Sequence, residues 1–130
     1  MIVHFPVGLL ISGVVFEIYG ALRNDEVAET AGRYNIRFGL WFLFPVLLVG
    51  FLGMISLENT EEFKDFLSSH LTFALCTAGL FFLAMLVSRY LRQPLGRALY
   101  FIIIGVGGIC VLTTGYFGGE LVYRFGVSTH

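Results

Sequence analysis

The sequence predicts an all-α protein, a four-helix transmembrane bundle with both termini on the outer, periplasmic face. Three observations predict it. Hydrophobic residues make up 57% of the 130-residue chain and charged residues only 13%, about half the share that a soluble domain carries. The apolar residues fall into four runs, each close to the roughly twenty residues that cross a hydrocarbon core. The bases are also unevenly placed. Arg23, Arg33, Arg37, Arg89, Arg92 and Arg97 flank two of the connections, whereas only Lys64 and Arg124 lie on the opposite face. By the positive-inside rule the 23–35 and 89–97 loops are then cytoplasmic. One integral membrane domain over residues 1–130 is expected, in the inner membrane of a bacterium.

The first span is expected over residues 2–22, with Pro6 in its first turn, where the missing N–H costs nothing. No basic stretch precedes the run and no small-residue cleavage site follows it, so it reads as a retained helix and not a signal peptide. Residues 23–35 are expected as a loop, with Thr30 as a candidate cap. The second span covers 38–57. Trp41 lies near its start, as interfacial aromatics do, and Pro45 is expected to kink it. Glu58 to Asp65 forms a short acidic loop. The third span covers 67–90 and the fourth 97–116, and residues 117–130 form a Gly-rich tail at the outer face. Cys76 and Cys110 lie inside apolar runs without metal spacing and are expected as buried thiols. A net charge of −1 and the lack of a basic run exclude a nucleic-acid partner.

Threading four spans brings His4, Glu58, His70, Tyr116, Glu120, Tyr123, Arg124 and His130 to one outer level. His70 falls in the first turn of its helix on this reading. Residues four apart share a helix face, so His4 heads a stripe of Gly8 and Ser12, and His70 one of Ala74 and Ala78. Gly108, Gly115 and Gly119 share a face of the fourth helix. Such stripes allow close helix packing. They also leave room for a flat macrocycle whose iron takes an imidazole from each of two helices. Glu17 lies roughly 20 Å deeper than His4. An acid at that depth is a functional candidate, and a salt bridge to Arg37, Arg89 or Arg92 is its structural alternative.

The opening His4-Phe5-Pro6-Val7-Gly8 and the closing Gly118-Gly119-Glu120-Leu121-Val122-Tyr123-Arg124-Phe125 resemble the small bacterial membrane proteins of the domain of unknown function 2231 family. The resemblance covers nearly the whole chain. It implies four spans and equates His4 and His70 with the family's two helix-end histidines. In many relatives the residues at Tyr116 and Phe125 are histidine, which leaves His4 and His70 as the pair in this chain. The family's layout also resembles that of membrane cytochromes b.

Two functional expectations follow. In the first, the protein is an electron-transfer subunit with one b-type haem near the periplasmic face. His4 and His70 ligate the iron, and Tyr116 and Arg124 contact its propionates. Glu17 and Glu120 are further candidates, and a chlorophyll-type pigment is a variant cofactor. The expected partners are the lipid bilayer, other membrane subunits of a respiratory or photosynthetic complex, and a periplasmic c-type cytochrome or quinone. In the second, the chain is a structural or assembly subunit. The sequence has neither the inverted repeat of a transporter nor a hydrolase motif, so an enzyme acting alone is not expected.

Overall fold

A computed structural model describes residues 4–56 and 61–125, with side chains described at 4–52 and 61–125. The chain forms four α-helices: α1 (His4–Arg23), α2 (Glu26–Ser56), α3 (Glu61–Tyr90) and α4 (Leu95–Phe125). Each is long and apolar enough to cross a membrane. Many of their large apolar side chains point outwards, including Trp41, Leu48, Leu52, Ile109 and Leu112. This is the pattern expected where lipid is the solvent, because apolar burial gives helices no drive to associate there.

The helices pack as two antiparallel hairpins. α1 lies against α2 and α3 against α4, and the hairpins meet along two narrower seams, α1–α4 and α2–α3. α1 and α3 stand on one diagonal, α2 and α4 on the other; among the described residues no backbones approach closely across either, and α2 meets α4 through the Glu29 and Arg97 side chains. The bundle thus has a corner end, where α1 turns into α2 and α3 into α4, and a terminal end, where α1 begins and α4 stops.

The corner between α1 and α2 is far tighter than the expected 23–35 loop. Only Asn24 and Asp25 separate the two helices. Asn24 adopts a left-handed backbone with φ of 53°, one of the few non-glycine residues that tolerate it. The Asp25 N–H then donates to the Gly20 carbonyl at 2.9 Å, the closing bond of a Schellman motif. Asp25 Oδ1 accepts from the N–H groups of Val27 and Ala28 at 3.0 and 3.1 Å. Asp25 is therefore the N-cap of α2, in place of Thr30.

Glycine sets the α1–α2 seam. A Cβ on Gly32 would stand 2.7 Å from the Glu17 amide nitrogen, and one on Gly13 would stand 3.0 Å from the Gly32 carbonyl oxygen. Gly20 and Gly39 are equally close to Glu29 and Leu10. Backbones touch here, as small residues permit in membranes. The core along the bundle axis consists of Leu10, Ile36, Phe81, Ala84, Ile104 and Val111 with their neighbours.

Further boundaries differ from expectation. α3 begins at Glu61, so the acidic segment from that residue belongs to the helix and His70 lies in the third turn. α4 continues through the Gly-rich stretch to Phe125, because its carbonyls and amides pair within the helix and lipid offers them no other partner. Pro45 lies inside α2, which runs on as one helix. The expected burial of the cysteines does not hold for Cys76, which is exposed on the bundle's outside, while Cys110 is partly buried; both are free thiols.

Candidate functional site

Two polar groupings stand at opposite ends of the bundle. At the terminal end, His70 lies on the same face of α3 as Ala74 and Phe81, both buried, so its ring is directed inwards. Its Nδ1 is 3.0 Å from the Thr114 carbonyl oxygen of α4. A carbonyl only accepts, so Nδ1 of the neutral ring carries the proton and Nε2 keeps a lone pair. The ring rests against Gly118, where a Cβ would stand 3.1 Å from His70 Cε1. The first glycine of the closing motif thus makes room for this imidazole. Aromatic rings close the α3–α4 seam around it: Phe73 stacks on Phe117 at 5.7 Å, and Phe66 meets both Phe117 and Phe125.

His4 is the first residue of α1 and is exposed. No described contact joins it to His70, and their helices are diagonal. Their levels nevertheless agree. Gly108 of α4 faces Val14 of α1, with a Cβ–Cγ1 separation of 3.6 Å. Moving ten residues along each antiparallel helix sets His4 level with Gly118, against which the His70 ring lies. Between these levels α4 carries open space on the face that meets Val14. Gly115 and Gly119 share the face of Gly108, yet a Cβ at either, or at Gly8, would meet nothing within 4 Å.

The other expected terminal-end residues are directed elsewhere. Tyr116 is exposed on the outside and packs edge-on to Phe117. Arg124 is held by three neighbours. Its guanidinium lies 3.0 Å from Glu62 and 3.5 Å from Glu120, and 5.2 Å from the Phe66 ring centre. Tyr116 thus points outwards, and Arg124 is engaged by two carboxylates. Glu62 was not legible as Arg124's partner, because the acidic segment read as a loop. Tyr123 is almost fully exposed. Glu58 and His130 lie outside the described residues.

At the corner end, Glu17 is 1% exposed. Tyr100 of α4 donates its hydroxyl to Glu17 Oε1 at 2.8 Å, and Arg33 Nε of α2 lies 3.8 Å from the same oxygen. Arg33 also faces Glu29 at 3.8 Å, and Glu29 accepts from Arg97 of α4 at 2.7 Å. Glu17 therefore pairs with Tyr100 and Arg33, not with the expected Arg37, Arg89 or Arg92. The tight Asn24–Asp25 corner sets the position of Arg33 relative to Glu17. A cavity of about 90 Å³ adjoins the group, lined also by Ser88, Gln93 and Gly96. The arrangement links α1, α2 and α4 and fastens one hairpin to the other. Among the described residues, no three His, Cys, Asp or Glu side chains gather as a metal centre.

Lipid-facing exteriors and four helices each long and apolar enough to span a membrane define a four-helix integral membrane bundle. The chain belongs to the DUF2231 family, described as a predicted membrane protein, whose family model matches residues 1–130. No match was found among curated proteins or among solved structures.

Proposed function

We propose that the protein is a membrane electron-transfer subunit that holds one b-type haem at its terminal end through His70 and His4. The observation that carries this reading is the His70 ring. Its Nδ1–H is committed to the Thr114 carbonyl, an outer-shell contact of the kind that orients metal-ligating histidines and leaves Nε2 available. The opening beside Gly115 and Gly119 and the matching level of His4 support it. Helices packed about 8–10 Å apart have diagonals wide enough for a macrocycle gripped from opposite sides. A haem bound there supplies a one-electron couple. The chain's own contribution is to orient His70, to exclude water with Phe66, Phe73 and Phe117, and to keep the site within lipid. Electron exchange with a c-type cytochrome, quinone or larger membrane complex fits a carrier seated in the bilayer.

Absorption spectra of the purified protein, oxidised and dithionite-reduced, test this, together with a pyridine haemochrome assay. A b-type spectrum is expected, with the Soret band lost in His70→Ala and in His4→Ala. A chlorophyll-type spectrum would replace the haem with a magnesium pigment on the same ligands. A blank spectrum from intact, folded protein sinks the reading. The same His70 contacts favour the second reading, a structural or assembly subunit. There the imidazole simply clips α3 to α4 through Thr114 and Gly118.

We also infer residence in the bacterial inner membrane with the corner end cytoplasmic, because Arg23, Arg33, Arg37, Arg89, Arg92 and Arg97 gather towards it. An alkaline phosphatase fused after residue 130 is expected to be active in a Gram-negative host, and a fluorescent protein fused there dark. The opposite pair of results reverses the orientation.

A further inference from the structure

A groove runs along the outside of the α2–α3 seam. Leu40, Trp41 and Phe44 of α2 and Phe82 and Met85 of α3 line it, Arg37 stands at one end, and its volume is about 380 Å³. Every lining residue except Arg37 is apolar. The stretch from Arg37 to Phe44 is about 10 Å of helix, a third of a hydrocarbon core of about 30 Å.

Arg33, Arg97 and Arg124 each have a carboxylate within ion-pair distance. Arg37 shares with Arg23, Arg89 and Arg92 the lack of a carboxylate within ion-pair distance among the described residues, and of these it alone lines the groove. It is exposed. It lies about 16 Å from the start of α2, a helix about 46 Å long. Its guanidinium can therefore snorkel to the headgroup level. Trp41, one turn further into the membrane, is 74% exposed.

We propose that this groove binds an anionic phospholipid, with the phosphate on Arg37 and one acyl chain along Trp41, Phe44, Phe82 and Met85. A single cation at the headgroup boundary, continued by an apolar trough, matches an amphiphile with an anionic head. A zwitterionic lipid such as phosphatidylcholine also fills the trough, but its choline cation offsets the phosphate charge that faces the guanidinium. Basic pockets between membrane helices recognise anionic headgroups on this principle. The proposal does not depend on the haem reading.

Trp41 is the chain's single tryptophan, so the site carries its own reporter. The full-length protein is reconstituted into vesicles that contain equal small fractions of phosphatidylglycerol or phosphatidylcholine, brominated at mid-chain. Brominated phosphatidylglycerol is expected to quench Trp41 with about a fivefold preference, the factor one arginine near an anionic surface supplies. Arg37→Gln abolishes the preference while quenching by phosphatidylcholine persists, which shows that the protein is still folded in the bilayer. Arg37→Lys retains most of it, and Arg92→Gln at the α3–α4 turn leaves it intact. Equal quenching by both lipids in the parent protein overturns the proposal. So does a preference that survives Arg37→Gln or is lost in Arg92→Gln, since either traces it to general surface charge.

Discussion

Gly32→Leu is expected to separate α1 from α2 and to leave little monodisperse protein after extraction in mild detergent. A Cβ at Gly32 would stand 2.7 Å from the Glu17 nitrogen and 2.8 Å from the Gly13 carbonyl oxygen. Both obstacles are backbone, so no rotamer change relieves the clash and α1 must move bodily. Overpacking usually costs about 1–3 kcal/mol, and a backbone obstacle puts this site at or above the top of that range. The move also pulls Glu17 from Tyr100. Gly79→Ala and Gly105→Ala serve as controls, because a Cβ there meets nothing within 4 Å. Size-exclusion profiles and thermal unfolding in one detergent decide the matter. If Gly32→Leu behaved like the two alanine variants, the glycine seam would not be what joins these helices.

Glu17→Ala is expected to cost about 2–4 kcal/mol, the range for leaving buried hydrogen-bonded groups without their partner. The Tyr100 hydroxyl would lose its acceptor, and Arg33 would keep only Glu29. Tyr100→Phe, which removes the donor and leaves the carboxylate with Arg33, should cost about 1–3 kcal/mol. Glu17→Gln should recover much of the loss, since the amide oxygen still accepts from Tyr100. Unfolding midpoints measured by circular dichroism in micelles give the order Ala, Phe, Gln from least to most stable. Parent-like stability of both Glu17→Ala and Tyr100→Phe would mean that the hairpins are held by other contacts.

The spans were legible because lipid enforces them: about twenty apolar residues have few alternatives. Their limits were not, because local chemistry sets them. Arg23 and the acidic and basic residues after it suggested a loop, yet Asn24 turns the chain in one step and Glu26, Glu29 and Arg33 sit on a helix. The glycines near the C-terminus suggested unwinding, but Gly118 accommodates His70 inside the bundle. That contact depends on the register of α3 against α4, which no single stretch of sequence encodes. Glu17 stood out as an acid at depth. Arg33 becomes its neighbour once the corner is placed at Asn24–Asp25. Tyr100 stayed hidden because it comes from the other hairpin, whose alignment is fixed by side-chain packing at Phe81, Gly107 and Gly108. His4 and His70 fall at one level, as the threading required, although His70 lies deeper in α3 than its first turn.

The gap beside Gly115 and Gly119 lies on the α1–α4 side, whereas on the α2–α3 side Gly50 and Leu71 draw the hairpins together. Gly8 and Gly115 are exposed, so this open space faces sideways from the bundle and not through its end. A guest that uses it arrives by partitioning into the bilayer and diffusing sideways. Its occupancy follows its concentration per unit of membrane, and washing the vesicles with buffer removes it no faster than it leaves the lipid.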